Sequence, residues 1–342
     1  MKRKYILVGD LHAQVGNLED TEVVFDKVAM LVREHGIEFV VYLGDMYHTH
    51  SVLRQEVVEL LRRKLPETRG TCQGKPVVLV GNHDLVGPTS TSMNACELTL
   101  SDVAAVVSEP VEAGPVLYMP FTPDNSKFVE ECKKYYGTSL VVCHQTFDGS
   151  QYENGFYAPG GVDQTLIPQK VVISGHIHKS QKVGKVTYVG TPRALTAAEC
   201  DEDKGLVMMT YDDVTCGVEL KMYSLNGLVK TYKKVDVQEP AEFDMPLLNG
   251  WGAKDHVMLH VHGSEDYCET FVKDKLPVLK QLRPKTTIKV ACHVEKVVDG
   301  KPIMDVSSES VTDSLRKYVM EVADMKATLR ERVWETISRE LK

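Results

Sequence analysis

Five short clusters along the chain carry side chains suited to holding metal ions. Asp10 and His12 lie two residues apart just after an apolar run, Tyr5–Val8. In extended backbone such residues point the same way, so a carboxylate and an imidazole can converge on one cation. Gly44-Asp45 closes the run Glu38–Leu43, and the glycine permits the tight turn that frees the carboxylate from a sheet. Gly81-Asn82-His83-Asp84 closes Pro76–Val80, and Asn82 offers a neutral carbonyl oxygen acceptable to Mn²⁺ or Mg²⁺. His144 follows Leu140–Cys143, and His176 and His178 follow Lys170–Ser174 in i, i+2 register.

Taken singly, most of these have a plainer reading. Asp10 and His12 fit a turn, Asp45 a helix cap, Asn82 a turn, and His144 a hydrogen-bonded core position. Their conjunction carries the argument. Asp10, His12, Asp45, Asn82, His144, His176 and His178 supply nitrogen and oxygen ligands for two cations sharing one carboxylate. No sulfur is required, which argues against a cysteine-rich structural zinc site. Such a pair suits phosphodiester hydrolysis. Two divalent ions about 3.5–4 Å apart neutralise the anionic ester and clamp the attacking and leaving oxygens. They also draw the pKa of a bound water from about 15.7 toward about 7. The departing alkoxide needs a proton, a task suited to histidine at neutral pH.

Every cluster follows a short apolar strand. Between the first two strands, Val23, Val24, Lys27, Val28, Leu31 and Val32 fall at helical spacing and Gly36 supplies a C-cap. Strands apolar on both faces and alternating with helices predict an α/β fold whose sheet is largely buried. Ligands in such folds gather at the carboxyl ends of strands. From about Thr187 short strands succeed one another: Val186–Val189, Leu206–Tyr211, Val218–Tyr223 and a further candidate at Lys230–Val235. The Pro/Glu-rich stretch Gln238–Phe243 reads as a domain boundary. A β-α-β unit follows: strand His256–Val261, helix Asp266–Leu282, strand Thr286–Val294. Beyond Ser308 one apolar stripe runs through Val311, Leu315, Tyr318, Val319 and Val322. A second runs through Leu329, Val333, Ile337 and Leu341. These stripes fit either packing on the chain's own body or docking on a partner.

The 342 residues, 43% hydrophobic and 26% charged, are ordinary for a globular protein. At about 150 residues per domain the length suggests roughly two domains. Lysine and arginine number 40 against 48 acidic residues, a formal charge of −8, which excludes a highly basic nucleic-acid coat protein. Phosphates would instead be met through metals or a local basic patch. No apolar run approaches the ~20 residues of a membrane span. The basic N-terminus reads as a first strand because its apolar stretch stops at Asp10. Eight cysteines without a CxxC pair predict reduced thiols, hence a cytoplasmic protein, or one of the host cytoplasm if the source is viral. His260 and His262 form a second HxH, read as surface or core-edge histidines. Lys179, Lys182, Lys185 and Arg193 are read either as a DNA-backbone path or as part of a solvated loop.

The five blocks, D-x-H, GD, GNH, H and GH-x-H, resemble those of the calcineurin-like metallophosphoesterase superfamily. More narrowly, the chain resembles the SbcD-type DNA repair nucleases. The features are His48 three residues after Asp45, the strand-turn Tyr188-Val189-Gly190-Thr191-Pro192, and the acidic segment Glu199–Asp203 leading to Lys204-Gly205. The Asp-Arg-Gly extension of Ser/Thr phosphatases is absent after Asp45, and Asp84 stands where those enzymes usually carry Glu. The motif match extends to about residue 210; beyond it only the layout agrees.

The resemblance implies a metallophosphoesterase β-sandwich flanked by helices over residues 1–238. It further implies a smaller α+β capping, DNA-binding domain over 239–304 and a helical partner-binding tail over 305–342. It assigns Asp10, His12, Asp45 and His178 to one metal and Asp45, Asn82, His144 and His176 to the other, with Asp45 bridging. His83 would stabilise the transition state or protonate the leaving oxygen, and His48 would position the scissile phosphate. The implied activity is 3′→5′ exonuclease on duplex ends and endonuclease on single strands or hairpins. The metals would be Mn²⁺ first and Mg²⁺ second. The partners would be DNA, an SbcC-like SMC-related ATPase bound through the tail, and a second copy of the chain. Two alternatives stand beside this reading: a small-molecule or nucleotide phosphodiesterase of the same superfamily, and a non-catalytic DNA-end tether.

Overall fold

A computed structural model describes residues 2–50, 52–72, 74–87, 90–239, 252–282, 285–294, 297–298 and 301–302. The expected tail at 305–342 lies outside these residues, as does most of the expected boundary segment at 238–243. The chain divides into two compact units. The first comprises residues 1–235, 245–258 and 280–289; the second comprises 236–244, 259–279 and 290–342.

The first unit is an α/β sandwich of two six-stranded sheets. The strands in chain order are β1 (Lys2–Val8), β2 (Phe39–Tyr42), β3 (Val77–Leu79), β4 (Leu85–Gly87), β5 (Ser90–Asn94), β6 (Ala105–Val107), β7 (Val111–Ala113), β8 (Val116–Met119), β9 (Leu140–His144), β10 (Val171–Gly175), β11 (Gln181–Val183), β12 (Val186–Tyr188), β13 (Gly205–Asp212) and β14 (Gly217–Ser224). One sheet has the order β14-β13-β1-β2-β3-β6 and the other β11-β12-β10-β9-β8-β7, while β4 and β5 form a separate hairpin. Within the first sheet β1, β2, β3 and β6 run parallel. Within the second, β8, β9, β10 and β12 do so.

The period-2 geometry of β1 explains why both its faces are apolar. Tyr5 and Leu7 join Val41, Leu43, Leu79, Val142, Ile173 and Met209 in the core between the sheets. Ile6 and Val8 face the opposite way, into a second core with the helices. Those helices are α1 (Leu18–His35), α2 (Gln55–Lys64) and α3 (Ala95–Leu100). They contribute Phe25 and Val28, Val57 and Leu61, and Cys96 and Leu100 respectively. Gly36 ends α1 in the left-handed conformation at φ 60°, as its position predicted. Outside the second sheet, α4 (Asn125–Lys134) buries Phe128 and Cys132 against Val141, Cys143 and Val172. The Asp124 carboxylate caps α4 by accepting from the Ser126 and Lys127 N–H groups.

Strands β15 (Thr231–Gln238), β16 (Asp255–Gly263) and β17 (Thr287–Val294) form a three-stranded sheet in that order. On β16, Val257, Leu259 and Val261 are buried, whereas His256, His260 and His262 occupy the alternate, more open face. The predicted helix 266–282 is present, with a π turn at Phe271–Lys275 between α5 (Glu265–Thr270) and α6 (Leu276–Leu282). All eight cysteines are free thiols. Among the described residues no helix is long and apolar enough to cross a membrane.

Candidate metal centre

Parallel pairing aligns the carboxyl ends of β1, β2 and β3, and likewise those of β9 and β10. The residues following these ends meet in one cluster. His12 Nε2 lies 3.1 Å from His178 Nε2 and 3.5 Å from Asp45 Oδ2. The other Asp45 oxygen, Oδ1, lies 3.4 Å from His144 Nε2. Around His144 Nε2 stand Asn82 Oδ1 at 3.0 Å and His176 Nδ1 at 3.2 Å, and these two are 2.7 Å apart. Asp45 therefore turns one oxygen toward each of two groups of side chains. Asp10 Oδ1 lies 3.3 Å from His144 Nδ1, and the carboxylate accepts the main-chain N–H of His176 at 3.0 Å.

The backbone is held in costly conformations to achieve this. His12, Asp45 and His176 have φ of 42°, 49° and 80°. Such left-handed residues cost on the order of 1–3 kcal/mol each and persist only when their surroundings fix them. The His12 N–H donates to the Asp45 carbonyl at 2.8 Å. Gly44, at φ 109°, and Gly81 leave no room for a Cβ, which would run into the His144 ring and the Asp45 carboxylate respectively. Asp84, fully buried, accepts from the N–H groups of Gly81 at 2.9 Å and Tyr47 at 3.0 Å. It thereby ties the Asn82-His83 turn to the loop after β2. Burial, reinforced by the Asp45 charge, pushes its carboxyl up to about 7.

The electrostatics suit a cation. Burial, helped by the neighbouring imidazoles, holds His12 far below the usual histidine range. The same causes hold His176 down at about 3. Both rings are therefore neutral at pH 7 and keep a nitrogen lone pair, the form in which histidine binds metal. His144 behaves oppositely. Burial opposes its charge, but Asp45 and Asp10 outweigh burial and raise it to about 9. Its Nδ1 donates to the Leu43 carbonyl at 2.7 Å, so the proton given up when a cation binds would be the one on Nε2, which faces the cluster. Desolvation pushes Asp10 upward, whereas for Asp45 the surrounding imidazoles outweigh desolvation and hold it ionised. Two triads, His12–Asp45–His83 and Asp45–His144–His176, each bring their ligand atoms within 4.8 Å of one another. The donor set contains only nitrogen and oxygen and fits hard-to-borderline divalent cations.

His83 and His48 stand at the edge of the cluster. His83 Nδ1 lies 2.8 Å from the His48 carbonyl, so it must donate there, and this leaves Nε2 as its free nitrogen. The His83 ring packs edge-on to His12 at 4.6 Å and stacks on His50 at 4.7 Å. The His48 ring lies 5.4 Å from that of His12. All nine residues expected at the site are thus brought together.

Residues 3–180 match the model of the calcineurin-like phosphoesterase family. The chain belongs to that family. It is a phosphoesterase by descent, hence a hydrolase, and its His/Asp groups can hold divalent metal. Two relatives are similar over part of the chain. A protein named as phosphoesterase 244L in Invertebrate iridescent virus 6 is 26% identical over 231 residues, covering 63% of this chain and 78% of the relative. Exonuclease subunit 1 of Enterobacteria phage T4 is 25% identical over 183 residues, covering 52% of this chain and 54% of the relative.

Three polar residues that support the site carry no spacing signal in the sequence. Glu153 Oε1 lies 3.3 Å from His178 Nδ1. His50 stacks on His83. Arg193, read above as a DNA-path or loop residue, is instead 1% exposed and donates to the carbonyls of Leu11 and His12. Its neighbours along the chain mislead, because Gly190-Thr191-Pro192 reads as a surface turn, whereas Thr191 and Ala194 are buried with it. Lys185 likewise spends its ammonium on the Ile167 carbonyl at 2.8 Å, while Lys182 remains exposed.

Proposed function

We propose that this phosphoesterase is an SbcD-type DNA nuclease, a two-metal phosphodiesterase acting 3′→5′ on duplex ends and endonucleolytically on single strands and hairpins. The observation that carries the two-metal reading is the division of the Asp45 carboxylate between His12 on one side and His144 on the other. Support for DNA as substrate comes from the similarity to the phage exonuclease subunit and from the SbcD-like placement of His48 and of the segment 188–205.

Under this reading Asp10, His12, Asp45 and His178 hold one ion, and Asp45, Asn82, His144 and His176 hold the other. Bound metal, with Mn²⁺ preferred over Mg²⁺, supplies Lewis-acid activation of water and neutralises phosphate charge. The chain's own contribution is orientation and proton handling. Donation from Nδ1 to the His48 carbonyl fixes the His83 ring, so Nε2 is the atom that, once it has taken up a proton and made the ring an imidazolium, would deliver that proton to the leaving oxygen. His48, beside His12, steadies the scissile phosphate. The tail at 305–342 is assigned to an SbcC-like SMC-related ATPase. Such a partner would supply DNA affinity that a chain of net charge −8 does not itself favour. The segment 239–304 is assigned to orienting duplex ends.

The test is incubation of the purified chain with labelled duplex, single-stranded and hairpin DNA and a generic phosphodiester, in Mn²⁺, Mg²⁺ or EDTA. Metal-dependent DNA degradation supports the nuclease. Turnover of the generic ester alone overturns it in favour of a small-molecule phosphodiesterase, and DNA binding without turnover in favour of a tether.

A further inference from the structure

The hairpin after β9, whose Glu153 touches His178, presents two exposed aromatic rings. Phe156 is 70% exposed and Tyr157 69%, in a molecule whose Phe25, Phe128 and Phe147 are fully buried. The turn that carries them is held by its own hydrogen bonds. The Tyr152 N–H donates to the Phe156 carbonyl and the Gly155 N–H to the Tyr152 carbonyl, both at 2.9 Å. Gln151 bridges to Tyr157 as an antiparallel pair. The Gln181 side chain clamps Gln151 from both sides, accepting its N–H at 2.9 Å and donating to its carbonyl at 2.6 Å. Gly155, at φ 83°, supplies the left-handed turn.

The same hairpin is tied to the site. Glu153 Oε1, three residues before Phe156, sits 3.3 Å from His178 Nδ1. Phe156 and Tyr157 follow Glu153 by three and four residues in the same hydrogen-bonded turn. A phosphodiester carries a flat, apolar-faced nucleobase on each sugar beside it, and exposed aromatic rings on a rigid support take up such faces regardless of sequence. Paired bases in a duplex keep their faces covered by their neighbours, whereas unpaired ones offer them.

We infer that Phe156 and Tyr157 form a stacking platform for an unpaired nucleobase flanking the cleaved phosphodiester. This rests on the DNA reading above and deepens it. The rings contribute recognition, whereas Glu153 fixes the hairpin to the metal centre.

The test compares cleavage of two single-stranded oligonucleotides of equal length by the full chain in Mn²⁺. One carries bases and the other tetrahydrofuran abasic sites around the scissile position. The wild-type chain is expected to favour the base-bearing strand in kcat/KM. Phe156→Ala and Tyr157→Ala are each expected to cut that preference about 10-fold, by raising KM on the base-bearing strand, within the usual worth of one stacked base. Phe156→Tyr and Tyr157→Phe should restore it. If the double alanine variant keeps the wild-type ratio, the platform is overturned while the nuclease stands. If both substrates lose equally in every variant, including the conservative ones, the rings are structural and the inference is again overturned. If the wild-type chain cleaves neither strand but hydrolyses a generic ester, the DNA reading itself has failed.

Discussion

Arg193 grips the carbonyl of His12 at 2.8 Å from inside the protein, where it is 1% exposed. The same guanidinium donates to the Leu11 carbonyl and approaches Thr21 Oγ1 at 3.4 Å. Burial lowers it only to about 10, so it stays charged at neutral pH. Its charge is used to pin the loop that carries His12 in left-handed conformation. Replacing Arg193 with Met should leave the buried Leu11 carbonyl without a donor, at about 1–3 kcal/mol, and leave the His12 carbonyl to the Asn17 side-chain amide at 3.0 Å. Lysine, lacking the planar fork, should rescue only part of this. Urea unfolding in EDTA should show the loss, and Mn²⁺ titration of the folded variant should show weakened binding. An Arg193→Met protein of unchanged stability and metal affinity would refute the role.

His83 belongs spatially to a triad with His12 and Asp45, yet its Nδ1 is already committed to the His48 carbonyl. If it handles protons and does not hold metal, His83→Ala should keep two metals per chain by elemental analysis. It should lose about 10²–10⁴-fold in kcat, the usual worth of a positioned acid. A metal content that falls along with turnover would reassign it as a ligand.

The parts of this molecule that the sequence discloses are those governed by local rules. β1, β2, β3, β9 and β10 follow from short runs too apolar to face water on either side, and α1 from its periodicity and Gly36. The clustering of Asp10, His12, Asp45, Asn82, His144, His176 and His178 follows because each lies at or just past the carboxyl end of such a strand. Glu153 and Arg193 escape for a shared physical reason. Their partners, His178 and His12, are distant in sequence, and a charged residue in a Gly-rich segment looks the same whether it will end in solvent or in the core. β8 and α4 also escape the sequence reading, although Val116–Met119 and the Asp124 cap are legible once the second sheet is known to need an outer strand and a cover.

Glu153 makes a prediction about metal affinity. The carboxylate beside His178 Nδ1, at 3.3 Å, favours the tautomer whose Nε2 faces His12. Carboxylates that orient a ligating histidine are typically worth about 10–100-fold in metal affinity or activity. Glu153→Gln should therefore weaken Mn²⁺ binding by roughly that factor, measured by competition with a chelating dye, while thermal unfolding in EDTA changes little. Unaltered Mn²⁺ affinity would make the contact incidental.

Glu199 and Lys204 lie in the acidic segment, and their pairing sets a pH dependence of stability. The Lys204 ammonium sits 2.6 Å from Glu199 Oε2, with both side chains at most 2% exposed. The same carboxylate accepts the N–H groups of Leu195 at 2.8 Å and Thr196 at 2.9 Å. Burial alone would raise the Glu199 carboxyl, but Lys204 and the Thr196 N–H prevail and hold it below its ordinary value of 4.5. The unfolded chain therefore binds this proton more readily than the folded one. The contribution is fully present above the unfolded pKa of about 4.5 and disappears as pH falls through the lower folded value. Glu199→Gln leaves the buried Lys204 ammonium with Glu202 at 2.9 Å as its remaining carboxylate and should cost about 1–3 kcal/mol at pH 7. Urea unfolding at pH 7, 5, 4 and 3 should show the gap between wild type and variant steady down to about pH 5 and narrowing below it. A gap that instead widens on acidification would mean that Glu199 is protonated in the folded chain and that Lys204 is neutralised elsewhere.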